Sequence, residues 1–178
     1  MHWECAKYVA VVCLASTAQS SAVFARQYLN IDEVKQVMFS GELFVQVDME
    51  IPDQVREKMR KESGVRYAYK QKKVWKSSNG SWILIDEVVG KHEMITYAVG
   101  INANGSIQGV EILEYNESYG EQIREKSWLQ QFKGKNTSDG IVWNKDIKNL
   151  TGATLSSKHV INGVQRLMVL YREYLSKI

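Results

Sequence analysis

A single proline, Pro52, stands among 178 residues, which excludes collagen-like and proline-rich organisations. Cysteine is almost as scarce: Cys5 and Cys13 are the only two, and both lie in the first fifteen residues. There is no Gly-x-Gly-x-x-Gly, no P-loop and no nucleophile elbow. His92 and His159 are the only histidines beyond His2. Neither has a second His or Cys at metal-ligand spacing, so both read as structural or surface residues and no metal site is expected. Asp86-Glu87 and Glu111/Glu114 are carboxylate pairs, but the alternating polar positions of a half-exposed sheet account for them equally well. Charge of one sign is modest, at +3 overall with a pI near 8.7. The densest basic stretch is Lys70-Gln71-Lys72-Lys73, flanked by Arg66 and Lys76. It reads as a solvated strand edge kept from aggregating by its lysines, and no nucleic-acid partner is expected.

Apolar residues make up 44% of the chain and charged residues 24%, enough to build a core and ordinary for a globular fold. The first 25 residues read as a secretory signal. Tyr8 to Ala15 is a short apolar run, followed by small polar residues and then Ala22-Val23-Phe24-Ala25. This places cleavage between Ala25 and Arg26. The run is well short of the roughly 20 residues that span a bilayer. An uncleaved anchor, a lipid attached at Cys13 and a buried first helix are the other readings of this segment. Once processed, the chain would hold no cysteine, and export without disulfides fits a bacterial periplasm.

Hydrophobic periodicity divides the rest. Asn30 is suited to cap a helix over residues 31–38, with Asp32 and Glu33 in its first turn. Leu43 to Ile51 partly alternates and predicts a strand. Pro52-Asp53 opens a polar helix to about Glu62, closed by Gly64. Extended stretches follow over residues 65–75, 82–89, 94–101 and 107–115. Hairpin turns are signalled at Asn79-Gly80 and Asn104-Gly105. Trp128, Leu129 and Phe132 suit a short helix. In the last segment Val160, Val164, Leu167, Met168, Tyr171 and Leu175 recur at helical spacing on one face. Strands followed by helices predict an α+β fold: an antiparallel sheet of consecutive hairpins, packed with a long C-terminal helix and short helices. Residues 26–89 are expected as an N-terminal segment packed on a main domain of residues 90–178.

The run Thr151-Gly152-Ala153-Thr154-Leu155-Ser156-Ser157 stands immediately before the long helix. Small hydroxyl residues and a glycine there can cap the first N–H groups. They can also let an anion approach the positive end of the helix dipole. On these residues alone, a capping run and a phosphate site both remain open.

Four blocks in order carry a family resemblance. The first is Gly90-Lys91-His92-Glu93-Met94-Ile95-Thr96-Tyr97-Ala98-Val99-Gly100-Ile101, with Asn104-Gly105-Ser106-Ile107 and Gly109-Val110-Glu111-Ile112-Leu113. The second is Glu117-Ser118-Tyr119-Gly120. The third is Trp128, Gln131-Phe132 and Gly134-Lys135. The fourth is the Thr151 to Ser157 run with Val160 and Gly163-Val164. Over about residues 90–174 the chain resembles the FMN-binding domain of subunits of the sodium-pumping quinone reductase and the Rnf complexes, and of small exported flavoproteins. The resemblance implies FMN as cofactor, attached through its phosphate to Thr154 by a separate flavin transferase. It implies that Gly152 and Ala153 let the chain pass close to the phosphate, that Thr151 and Ser156, with the N–H groups of the helix start, hydrogen-bond it, and that Leu155 belongs to the same cofactor-binding run. Glu117, Tyr119 and Gly120 match the loop near the flavin ring, where Tyr119 is placed to stack. The transferase pattern has Asp three residues before the first Ser/Thr. Here that position is Lys148, with Asp146 the nearest acid, so non-covalent FMN is the other form to expect.

The function implied is electron transfer between a membrane or periplasmic donor and an acceptor, with a redox partner protein or membrane redox complex. The protein then binds, orients and tunes the flavin and needs no side chain for acid–base work. A docking or assembly subunit that keeps the fold without flavin is the alternative. A flavin reductase with its own substrate is a third reading, disfavoured by the lack of a nicotinamide motif.

Overall fold

A computed structural model describes residues 27–69 and 73–178. The expected leader with its cleavage site, both cysteines and Lys70 to Lys72 of the basic run lie outside the described residues. Among the described residues no helix is long and apolar enough to cross a membrane.

The fold is α+β. Five strands, β1 (Phe44–Gln46), β2 (Val74–Ser77), β3 (Trp82–Val89), β4 (Met94–Ile101) and β5 (Ile107–Tyr115), form one antiparallel sheet in sequence order. Each neighbour in the sheet is therefore the next strand in the chain; β2 to β5 follow as consecutive hairpins, and a helix stands between β1 and β2. The Asn79-Gly80 and Asn104-Gly105 turns join β2 to β3 and β4 to β5, closed by Gly80 N–H to Ser77 O at 3.1 Å and Gly105 N–H to Asn102 O at 2.8 Å. β3 and β4 pair along their whole length, from Trp82 opposite Ile101 to Val89 opposite Met94.

Helices cover both faces. α1 (Ile31–Met38) opens with a complete capping box: the Asn30 side chain accepts from the Asp32 and Glu33 N–H groups, and the Glu33 carboxylate accepts from the Asn30 N–H. Its Val34 and Met38 pack on Ile83, Ile85, Ala98 and Leu113. The opposite face of the sheet carries the larger core. There α4 (Thr154–Glu173) buries Val160, Val164, Leu167 and Met168 against Leu84, Val88, Tyr97 and Val99. α2 (Asp53–Ser63) packs beside it and ends at Gly64, whose φ of 71° is the left-handed cap that glycine accepts at little cost. A short helix α3 (Lys126–Leu129) lies between two 3₁₀ turns and seats Trp128 edge-on to Phe132.

Two expected strands come out shorter. In place of residues 43–51, only Phe44–Gln46 is strand. Its register turns Phe44 toward the α1 cluster and leaves Leu43 and Val45 exposed, opposite to what alternation suggests. Met49 and Ile51 are buried, but in irregular chain leading into α2. In place of residues 65–75, the strand begins at Val74, and Val65 to Tyr69 cross the molecule as loop beside α2 and α4.

Asp86 is a further correction. It is not a half-exposed sheet residue but is buried at 6% exposure, on the α4 side. Arg166, 2% exposed, donates through Nε to Asp86 Oδ2 at 3.0 Å and also through Nη2. Tyr97 Oη donates to the same oxygen at 2.6 Å. Burial, and then the Asp86 carboxylate, push the Tyr97 phenol well above its ordinary value, so it stays a donor.

Candidate functional site

The candidate site lies where three loops meet at the start of α4. Gly152 has a φ of 87°, a left-handed conformation that turns the chain into the helix and disfavours any residue with a Cβ. Ala153 precedes the helix, and no side chain caps it. The hydroxyls nearby are used differently. Ser157 Oγ donates to Thr154 O at 3.0 Å, and Ser156 Oγ lies buried 3.3 Å from Tyr115 Oη. The first N–H groups of α4 thus lack the side-chain cap that a mere capping run would have supplied. They also carry the positive end of a 20-residue helix.

A cavity of about 630 Å³ opens in front of this end. One wall is Gly152 to Ser156. A second is Glu117, Ser118 and Tyr119, following β5. The third is Lys91 and His92, in the turn between β3 and β4. Seven of the residues singled out in the sequence line it: Thr154, Gly152, Ala153, Leu155, Ser156, Glu117 and Tyr119. Two do not. Thr151 is exposed outside the wall, and Gly120 sits behind it. At Gly120, with φ 93°, a Cβ would stand 2.5 Å from Tyr115 Oη and 3.2 Å from Ala153 Cβ, so only glycine lets the Glu117 loop close on the helix start. Tyr115 ties these parts together by donating to Tyr119 O at 2.6 Å.

The side chains facing the cavity suit an anion with an attached planar ring. Thr154 is exposed at the first helical position. Tyr119 is 86% exposed and Leu155 49%, an apolar pair that makes no use of the protein core. Lys91 adds a positive charge. His159 is outside this wall, with Nδ1 held 2.6 Å from Val89 O, a structural histidine. Lys148 is exposed, and its backbone is pinned by Gln131 Oε1 and Trp128 Nε1, each at 2.9 Å. Asp146, the nearest acid, accepts from Val142 N–H at 3.0 Å within its own turn.

Glu117 plays a part that the sequence does not reveal. Its Oε1 accepts from the backbone N–H of His92 at 2.6 Å and of Glu93 at 3.1 Å, fastening the post-β5 loop to the β3–β4 turn. Partial burial works to raise its pKa, but these backbone N–H groups outweigh it and hold the carboxyl below the ordinary value of 4.5. A carboxylate with a depressed folded-state pKa stabilises the fold above the unfolded value, and that contribution disappears as pH falls through the folded one. Glu117→Gln is therefore expected to flatten the loss of stability on acidification below 4.5. Denaturant midpoints across that range check it; parallel slopes for variant and wild type would show that Glu117 makes no such link.

Lys91, His92 and Ser118 belong to the site without any local pattern to mark them. They sit in turns whose neighbours are brought in only by the β3–β4 pairing and by Glu117.

Residues 90–169 match the family model of the FMN-binding domain. The chain is also 33% identical over 82 residues to one subunit of the Na(+)-translocating ferredoxin:NAD(+) oxidoreductase complex of Acetobacterium woodii. That match takes in 41% of this chain and 40% of the relative, so the chain spans well under half of the curated relative's length. Residues 90–169 are an FMN-binding domain, and FMN is the cofactor.

Proposed function

We propose that this FMN-binding chain is an exported electron carrier whose flavin is held in the cavity at the start of α4. The observation that carries the reading is the convergence there of an uncapped helix N-terminus, the Thr154 hydroxyl and an exposed aromatic. In this reading the first N–H groups of α4 and Lys91 bind the FMN phosphate. Thr154 Oγ1 would carry the phosphoester, formed when a flavin transferase moves the FMN phosphoryl group from a flavin dinucleotide: the new Oγ1–P bond replaces the donor's P–O–P bond, the nucleoside monophosphate leaves and the hydroxyl proton is released. Tyr119 and Leu155 cover one side of the ring. Glu117 keeps the Lys91–His92 turn in place. The flavin supplies the ability to take up and release electrons. The protein orients it and leaves one side open to a partner.

Likeness to a member of a multi-subunit oxidoreductase supports a place in a membrane redox complex, with donor and acceptor both proteins or membrane carriers. The apolar run near the start and Ala22-Val23-Phe24-Ala25 support export to the periplasm with cleavage after Ala25.

Absorbance tests the reading. The protein produced with a flavin transferase is expected to be yellow, to bleach with dithionite and to recover in air. A colourless product under those conditions would leave the docking-subunit function in its place.

A further inference from the structure

A second cavity, of about 460 Å³, lies between α2 and the Val65 to Tyr69 loop, with Arg166 of α4 at its base. About 18 Å of helix separates Arg166 from Thr154 at 1.5 Å rise per residue, so this is not the flavin cavity. Two residues of its floor keep unused hydrogen-bonding capacity, both with their polar groups buried beneath the cavity surface. Arg166 spends four N–H groups on Asp86, Tyr67 O and Glu87 O, which leaves one on Nη1. Tyr69, 7% exposed, has a buried hydroxyl with no hydrogen-bond partner among the described residues. Its ring lies 5.9 Å from the Arg166 guanidinium. A buried hydroxyl without a partner is costly, and native proteins keep few of them.

The walls carry an excess of positive charge. Four arginines, Arg56, Arg60, Arg66 and Arg166, face two carboxylates, Asp53 and Glu57. Asp86 neutralises Arg166, and Arg56 is engaged by Asp53 at 3.8 Å and by Ile51 O at 2.9 Å. Arg60 and Arg66 line the mouth and form no ion pair among the described residues. Arg66 also begins the basic stretch that runs on to Lys76 without an acidic residue.

We propose that this cavity is a binding site for a phosphate-bearing ligand, with Arg60 and Arg66 holding the phosphate above the buried Arg166 guanidinium. Guanidinium forks match phosphate oxygens in pairs, and the volume leaves room for an organic remainder. The phosphate belongs either to a soluble compound or to a lipid headgroup.

The test takes the full chain saturated with FMN, so that the start of α4 is occupied, and uses inorganic phosphate as probe. Phosphate is expected to raise the thermal midpoint saturably and to broaden its own phosphorus resonance. The double variant Arg60→Gln/Arg66→Gln should bind at least roughly tenfold more weakly, the effect of losing even one of its two strong contacts. Tyr69→Phe, which removes a costly buried hydroxyl that the cavity does not reach, should raise the unliganded midpoint and keep the phosphate-dependent rise. Superimposable titrations of the wild type and the arginine variant, or no saturable response in the wild type, would overturn the site. Vesicles of phosphatidylglycerol, against phosphatidylcholine, identify the source. Co-sedimentation that the arginine variant abolishes points to a lipid headgroup. A phosphate response without co-sedimentation points to a soluble ligand.

Discussion

Thr154→Ala, produced with a flavin transferase, is expected to leave no flavin fluorescence on the denatured chain, where the wild type keeps a fluorescent band. A phosphoester needs a hydroxyl that a phosphorylated flavin can approach. Thr154 is exposed at the first position of α4, on the wall of the cavity. The other hydroxyls are less well placed. Ser156 is 4% exposed and 3.3 Å from Tyr115 Oη, and Ser157 is fully buried and donates back to Thr154 O. Thr151 is exposed but lies outside the cavity wall, so Thr151→Ala should lower the band without removing it. The helix end favours the bound phosphate by roughly 0.3–1 kcal/mol at an exposed site, too little to hold FMN through denaturation. Fluorescence after denaturing electrophoresis therefore reports the covalent bond alone. Lys148→Asp should strengthen the band if the transferase reads an acid at that exposed position. A band that persists in Thr154→Ala would place the linkage elsewhere. A wild type that is yellow when native and dark when denatured would show FMN held without a bond.

The largest effect on folding is expected from Asp86→Ala. The change strands the Arg166 guanidinium, 2% exposed, and takes the acceptor from the Tyr97 hydroxyl, which is fully buried. Breaking a buried ion pair from one side destabilises by about 3–5 kcal/mol. For a domain of this size that lowers the thermal midpoint by roughly 10 °C. The paired replacement Asp86→Leu/Arg166→Met removes both charges and should recover much of the loss. Denaturant titration of the single and double variants measures both. If the single variant lost under about 1 kcal/mol, what an exposed ion pair is worth, the pair would have to be solvated in the folded protein.

These two predictions draw on different kinds of information. The Thr151 to Ser157 run is visible in the sequence, because a cluster of small hydroxyl residues before a strongly periodic helix is a local pattern. So are the sheet and its order. Val and Ile recur over residues 82–89 and 94–101, and Asn-Gly pairs mark the turns. Local chain preference sets these features, and tertiary packing here reinforces it. Asn30 with Glu33 is the clearest instance, a capping box written in four residues and formed as written.

What stays hidden depends on residues far apart in the chain. Leu43 to Ile51 alternates well enough for a strand, yet the pairing with β2 covers Phe44 to Gln46 with one further bond from Val47 N–H to Val74 O at 2.9 Å, and Met49 and Ile51 are buried in irregular chain leading into α2. Asp86 reads as a surface residue until α4 sets Arg166 against it, 80 positions away. Glu117 looks like part of a flavin loop, and it is the β3–β4 pairing that brings the His92 and Glu93 N–H groups to its carboxylate. The start of α4, the hairpins and the glycine turns follow from short-range sterics and hydrogen bonding, which a run of residues carries within itself. The charge pair under the sheet, the latch at Glu117 and both cavities follow from desolvation and close approach, which exist only once the sheet and α4 have packed.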